Sequence, residues 1–358
     1  MSNASMDLAE RLRAAGITVN TDASSEPENP WYVKALLALS AWLASLFLLV
    51  AMGAALAGLF DSRLALTICG LLLLAAAVLL LTRWRNDFND NLGLALSLAG
   101  QVLVVFALNK GVDPDEASFW WSVCGLQAVL LAVPNFFHRA VVAAFAGGAF
   151  ALALMASGWG HFAGSVLIAL LAFVWLAELT RLRSVSLCQA LGYGLAVSLL
   201  VVQYLRRWQL SELESAFAVQ SSAAGALAAE CLTLLVLCCV LGVLIKRQQF
   251  VVSMGQWAFL AVFIALLGAA SWQAYGLLQA VVLLLLAFYG QNRLLFGVAA
   301  TALLLSLSSY YYLLDTTLLI KSMTLLLLGI LLLGARALFC YLWPGTKGDD
   351  THALEVEP

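Results

Sequence analysis

From residue 33 to residue 343 the chain alternates long apolar runs with breaks of a few polar residues. Each run is close to the ~20 residues that a helix needs to cross a hydrocarbon core. The runs predict helices over residues 33–60, 64–81, 92–108 and 119–133, then 140–157, 162–177, 187–204 and 223–245, and last 256–271, 274–289, 294–314 and 318–342. The break at Trp272–Gln273 is thin, so the ninth and tenth stretches also read as one re-entrant hairpin or one kinked helix. Backbone groups in lipid must be paired within their own segment. The expectation is therefore an all-α, polytopic integral membrane bundle of about twelve transmembrane helices. Residues 1–32 form a polar N-terminal segment with a short amphipathic helix near Asp7–Ala15, residues 33–343 the bundle, and residues 344–358 a disordered acidic tail.

Composition agrees: 63% of the 358 residues are hydrophobic and 11% charged, a balance unlike that of a soluble domain. The placement of the 18 basic residues then gives an orientation. With the N-terminus inside, Arg11, Arg13, Lys34, Arg83, Arg85, Arg139, Arg181, Arg183, Lys246, Arg247, Arg293, Arg336 and Lys347 are cytoplasmic. Only Arg63, Lys110, Arg206 and Arg207 fall outside, and Lys321 lies within a stretch. Positive charge concentrates on the cytoplasmic side of membrane proteins, so both termini are expected in the cytoplasm, in a multi-pass membrane protein. The net charge of −2 and the lack of a basic cluster argue against nucleic acid as a partner, leaving membrane lipid. Residues 1–30 are too polar, and the first apolar run too late and too long, for a cleavable signal peptide. The seven cysteines all lie in apolar runs without a CxxC and read as small core residues; His138, His161 and His352 have no metal-ligand spacing. No metal or cofactor is expected.

Polar residues inside apolar stretches are the candidates for function, because burying them in lipid is costly. Glu230 lies between Ala226–Ala229 and the apolar run that starts at Cys231, and reads either as a protonatable site or as a structural acid near the outer interface. Lys321, near the start of the last stretch, either snorkels to the outer surface or pairs with Glu230. Gln101, Gln127 and Gln279 fall near the middle of their stretches, where amides usually join helices; Gln101–Gln127 is the natural pair, between neighbouring antiparallel helices. Residues 205–222 form the longest outer segment, with Trp208, Leu210, Leu213 and Phe217 spaced for a short interfacial helix. The outer Asp61, Asp113, Asp115, Glu116, His161 and Asp315 show no nucleophile–base spacing and read as solvated loop groups.

Two ends of the chain carry specific patterns. One is Tyr310–Tyr311–Tyr312, followed through Asp315, Thr316 and Thr317 to Lys321 and Ser322; the other is Pro30–Trp31–Tyr32 with Trp42. With these, the chain resembles an uncharacterised family of bacterial multispanning membrane proteins, a domain of unknown function. Members of that family tend to be encoded beside a membrane-anchored protein named for its Gly-Asp-Tyr and Tyr motif. The resemblance implies no substrate or catalytic residue. It implies a partner, a membrane-anchored envelope protein, with Tyr310, Tyr311, Tyr312, Trp208 and Phe217 as the candidate surface. The first expectation is thus a scaffold or subunit of an envelope complex. The second is a proton-coupled transporter or channel using Glu230. The least favoured is a membrane-embedded enzyme acting on a lipid-linked substrate.

Overall fold

A computed structural model gives the fold and describes residues 61–83, 87–178, 185–208, 223–247, 253–273 and 276–313, with scattered helical positions between 36 and 51 and between 319 and 337. The expectations for residues 1–32 and 344–358 lie outside the described residues. Among the described residues there is no strand. Ten α-helices follow one another among these residues: α1 (Arg63–Arg83), α2 (Asp87–Asn109), α3 (Ala117–Leu130), α4 (Phe136–Ala156), α5 (Ala163–Glu178), α6 (Val185–Trp208), α7 (Ala223–Arg247), α8 (Met254–Gln273), α9 (Leu277–Tyr289) and α10 (Arg293–Leu313). A 3-10 turn, Gly160–Phe162, leads into α5.

Seven of the described helices are long and apolar enough to cross a membrane: α1, α2, α4, α6, α7, α8, and α5 counted with its leading turn. The helices α3 and α9 have 14 and 13 residues, about 20 Å each at the usual rise. Leu72, Val129, Phe173 and Leu304 are exposed on the outside of the bundle. Large apolar side chains exposed on this many helices suit hydrocarbon rather than water as the solvent.

Consecutive helices pair as hairpins, α1 with α2, α3 with α4, α5 with α6 and α9 with α10, and α4 also lies along α6. The main core is built from α4, α5, α6, α7, α9 and α10, around Leu167, Leu171, Leu199, Leu237, Leu283 and Leu295. Smaller apolar clusters join α1 to α2 and α3 to α4.

Local chemistry moves several boundaries from their expected places. Pro134 and Asn135 start α4 at Phe136, four residues early, because Asn135 Oδ1 accepts from His138 N–H at 3.1 Å and so caps the helix. Asn292 does the same for α10, accepting from Leu294 and Leu295 N–H at 3.1 Å each. Helix α6 continues through Trp208, so residues 205–208 belong to it and not to a separate interfacial segment. The ninth and tenth stretches are separate helices, but Trp272 and Gln273, expected as the break, still belong to α8, and the interruption comes after them. Gly276 has a φ of +86° at the N-cap of α9, a left-handed conformation that glycine adopts without a Cβ clash. Cys231, Cys238 and Cys239 are exposed on α7, and Cys69, Cys124 and Cys188 are partly exposed, so none of these is a fully buried core residue.

Candidate functional site

Among the described residues, buried and half-buried polar side chains join helices at several places. The most extended begins at the start of α4 and crosses to α2 and α3. His138 Nε2 lies 2.9 Å from Ser97 Oγ, Gln101 Nε2 donates to Ser97 Oγ at 3.0 Å, and Gln127 Nε2 donates to Gln101 Oε1 at 3.0 Å. Ser97 and Gln101 lie one helical turn apart on α2, which puts both on one face. All four side chains are buried, Gln127 with 3% of its surface exposed. Among the described residues neither end of this series is matched: His138 Nδ1 and Gln127 Oε1 have no hydrogen-bond partner there.

The second joint links α6 to α9, where Gln203 Nε2 donates to Gln279 Oε1 at 2.8 Å beneath Gly276. The third ties α5 to α7: Ser165 Oγ donates to the Ala229 carbonyl at 2.8 Å and Thr233 Oγ1 donates to Ser165 Oγ at 2.9 Å. The fourth holds Glu230. Ser271 Oγ of α8 donates to its Oε2 at 2.9 Å. Ser271 is also the one buried residue among the described side chains of α8, so this bond marks where α8 docks on α7.

The helix ends sort by charge. Tyr193 OH accepts from Asn292 Nδ2 at 2.6 Å, and its ring packs edge-on against Trp175 and Phe136. Arg247 donates to the Leu176 carbonyl at 3.1 Å, one residue from Trp175. These contacts gather the start of α4, the end of α5, the end of α7 and the start of α10, and with them Arg139, Arg247 and Arg293, at one end of the bundle. Arg63, at the start of α1, lies against Gly111 next to Lys110.

Between α2, α3, α4 and α6 there is a crevice of about 830 Å³. Its walls are apolar, and Gln101 and Gln127 lie among its lining residues. Val102, Phe106, Phe145 and Val197 line it and are exposed, so it opens sideways from the middle of the bundle.

The sequence-derived site residues are thus distributed over separate places. Gln101 and Gln127 meet; Gln279 meets Gln203 instead; Glu230 meets Ser271. Lys321 and Phe217 lie outside the described residues. Tyr310, Tyr311 and Tyr312 continue α10 and Trp208 ends α6; of these four side chains only that of Tyr311 is described, and it is half-buried. His161 is buried rather than solvated, because the 3-10 turn lays its ring against Gly225 of α7. Ser97, His138, Gln203 and Ser271 were missed. The spacing Ser97–Gln101 at one turn was the available signal for the first; Gln203 sits near the end of its stretch, where an amide reads as interfacial. No group of three His, Cys, Asp or Glu side chains able to hold a metal ion occurs among the described residues.

The family model for a domain of unknown function, DUF4401, matches residues 30–342. No curated protein and no solved structure matches the chain.

Proposed function

Since the chain belongs to the DUF4401 family, whose description carries no activity, we propose a role read from the bundle itself: a static membrane subunit of an envelope complex in the bacterial cytoplasmic membrane. In this reading the chain has twelve spans and both termini inside. The charge pattern supports it, because Arg139, Arg247 and Arg293 share one end of the bundle while Arg63 and Lys110 come together beside Gly111.

The observation that carries the reading is how the buried amides and hydroxyls are used. Gln101 with Gln127, Gln203 with Gln279, and Ser165 with Thr233 each tie two different helices together. A water-filled translocation path would leave such groups facing a lumen, whereas interhelical bonds fix helix positions. The outer surface around residues 205–222 and 310–321 would then hold a membrane-anchored partner, with Trp208, Phe217 and Tyr310–Tyr312 as contacts.

The test is in-cell photo-crosslinking from positions 208 and 311, followed by purification in mild detergent. A single membrane-anchored envelope protein trapped at both positions, and retained in Glu230→Gln, supports the subunit reading. Recovery of the chain alone from both positions refutes it.

One observation favours a second reading, proton-coupled transport. The Glu230 carboxyl group lies within an apolar span and has a hydroxyl donor, Ser271, on a helix that is otherwise weakly attached. Proton-dependent uptake into vesicles that disappears in Glu230→Gln would establish that alternative over the first.

A further inference from the structure

Helix α10 has two sides. Leu295, Ala299, Ala302 and Ser306 are buried against the bundle. On the side away from them, Leu294, Gly297, Thr301, Leu304 and Ser308 are exposed, each three or four residues after the last. Such steps make a straight seam along a helix. Exposure in an apolar bundle ordinarily means contact with lipid. This seam differs in composition, because Gly297, Thr301 and Ser308 present little apolar surface to lipid and allow another helix to approach closely. A β-carbon built on Gly297 meets nothing within 4 Å among the described residues. The Thr301 hydroxyl donates to the Gly297 carbonyl at 2.9 Å within α10 itself. An apolar partner can therefore cover it without leaving it unpaired.

The chain that follows α10 supplies such a partner. Helix α10 ends at Leu313, and the last apolar stretch, residues 318–342, begins after four connecting residues. Connections that short usually join antiparallel neighbours. Within the stretch, Leu319, Ser322, Met323, Leu326, Leu333 and Ala337 are helical and exposed. With about 3.6 residues per turn, all six fall on one side of a helix. The other side is left for docking.

The geometry points to residues 318–342 as the occupant of the α10 seam, laid antiparallel along it. The side opposite the six exposed positions carries Thr324, Leu328, Leu331 and Ala335. Their steps match Ser308, Leu304, Thr301 and Gly297 read backwards. A turn centred on Thr316 makes Ser308 face Thr324, Leu304 face Leu328, Thr301 face Leu331, and Gly297 face Ala335. Hydroxyl then lies beside hydroxyl, and the smallest residues of each helix meet where the axes come closest. The inference rests on residues 318–342 being the last of the twelve spans proposed above, and not on the envelope partner.

The experiment uses the full chain in its native membrane, oxidised with copper phenanthroline, with linked peptides identified by mass spectrometry. Ser308→Cys with Thr324→Cys, and Gly297→Cys with Ala335→Cys, should form disulfides within one chain, since facing positions bring β-carbons into bonding range. Leu304→Cys with Leu326→Cys, whose second site lies on the exposed side, should link several-fold less. Gly297→Leu should lower the linkage of Thr301→Cys with Leu331→Cys several-fold, because the bulkier side chain holds the two helices apart. Linkage indifferent to Gly297→Leu overturns the proposal. So does a disulfide joining Ser308→Cys of two chains, which would give the seam to a second copy. Lys347→Cys, probed with a membrane-impermeant maleimide, reports separately whether the stretch spans. Labelling from the outer face refutes the twelve-span reading and this inference with it. Labelling from the cytoplasmic face, with neither facing pair linked, refutes the docking alone and leaves the seam to lipid.

Discussion

Gly70 and Gly100 meet backbone to backbone where α1 packs along α2. A β-carbon on Gly70 would lie 3.0 Å from the Gly100 carbonyl oxygen, and one on Gly100 would lie 2.8 Å from that of Gly70. Small residues let helices approach closely in lipid, where packing rather than water drives association. Gly100→Leu should therefore push the α1–α2 hairpin apart and destabilise the protein by about 1–3 kcal/mol, the usual cost of overpacking. Gly125→Leu, whose added carbon meets nothing within 4 Å, is the control and should be near neutral. Thermal unfolding in detergent measures both, and equal midpoints for the two variants would contradict the crossing.

The Gln101–Gln127 bond invites a double-mutant cycle. Replacing either glutamine by Leu leaves the other buried without its partner, which should cost about 1–3 kcal/mol. Replacing both removes the need for a partner and should cost less than the sum of the two. The coupling expected for an interhelical polar pair in a membrane protein is about 0.6 kcal/mol, with a maximum of about 1.7. Additive losses would mean that the two amides act independently, against a separation of 3.0 Å.

Hydropathy made the helical class and most helix positions legible, because a run of about twenty apolar residues has few other readings. The Gln101–Gln127 contact was legible too, since it joins consecutive helices whose loop fixes them as antiparallel neighbours. Gln203–Gln279 was not: 76 residues and two further helices separate them, and periodicity says nothing about which distant helices pack. The early start of α4 was missed because Phe136, Phe137 and His138 look like loop residues until Asn135 is seen to cap them. His161 was misread for a related reason, since a polar residue beside Gly160 resembles a solvated turn, and only the fold brings Gly225 over it. The place of Glu230 inside an apolar stretch was in the sequence; its donor Ser271, 41 residues on, was not.

The break between α8 and α9 rests on Gly276. A residue with a Cβ pays about 1–2 kcal/mol in the left-handed conformation, and the new methyl would also sit 3.0 Å from Ser306 Oγ and 3.1 Å from the Gln203 amide. Gly276→Ala should lower stability by somewhat more than the conformational cost alone. Combining it with Gln203→Ala should restore part of the loss, because the methyl then has room. A double variant no more stable than the sum of the singles would place the whole penalty in the backbone.

Glu230 decides how α8 is held, and its variants separate a joint from a proton site. Gln at this position keeps a carbonyl oxygen for the Ser271 hydroxyl, whereas Leu leaves that hydroxyl buried without an acceptor. If Glu230 serves as a joint, Glu230→Gln should retain near wild-type stability, and Glu230→Leu should loosen α8 alone. The measurement is hydrogen exchange in nanodiscs, read separately over Met254–Gln273 and over the α5–α6 pair. Faster exchange confined to α8 in Glu230→Leu, absent in Glu230→Gln, is the expected pattern. Equal protection of α8 in both variants would remove the docking role, because Ser271 is the one described side chain of α8 that the bundle buries.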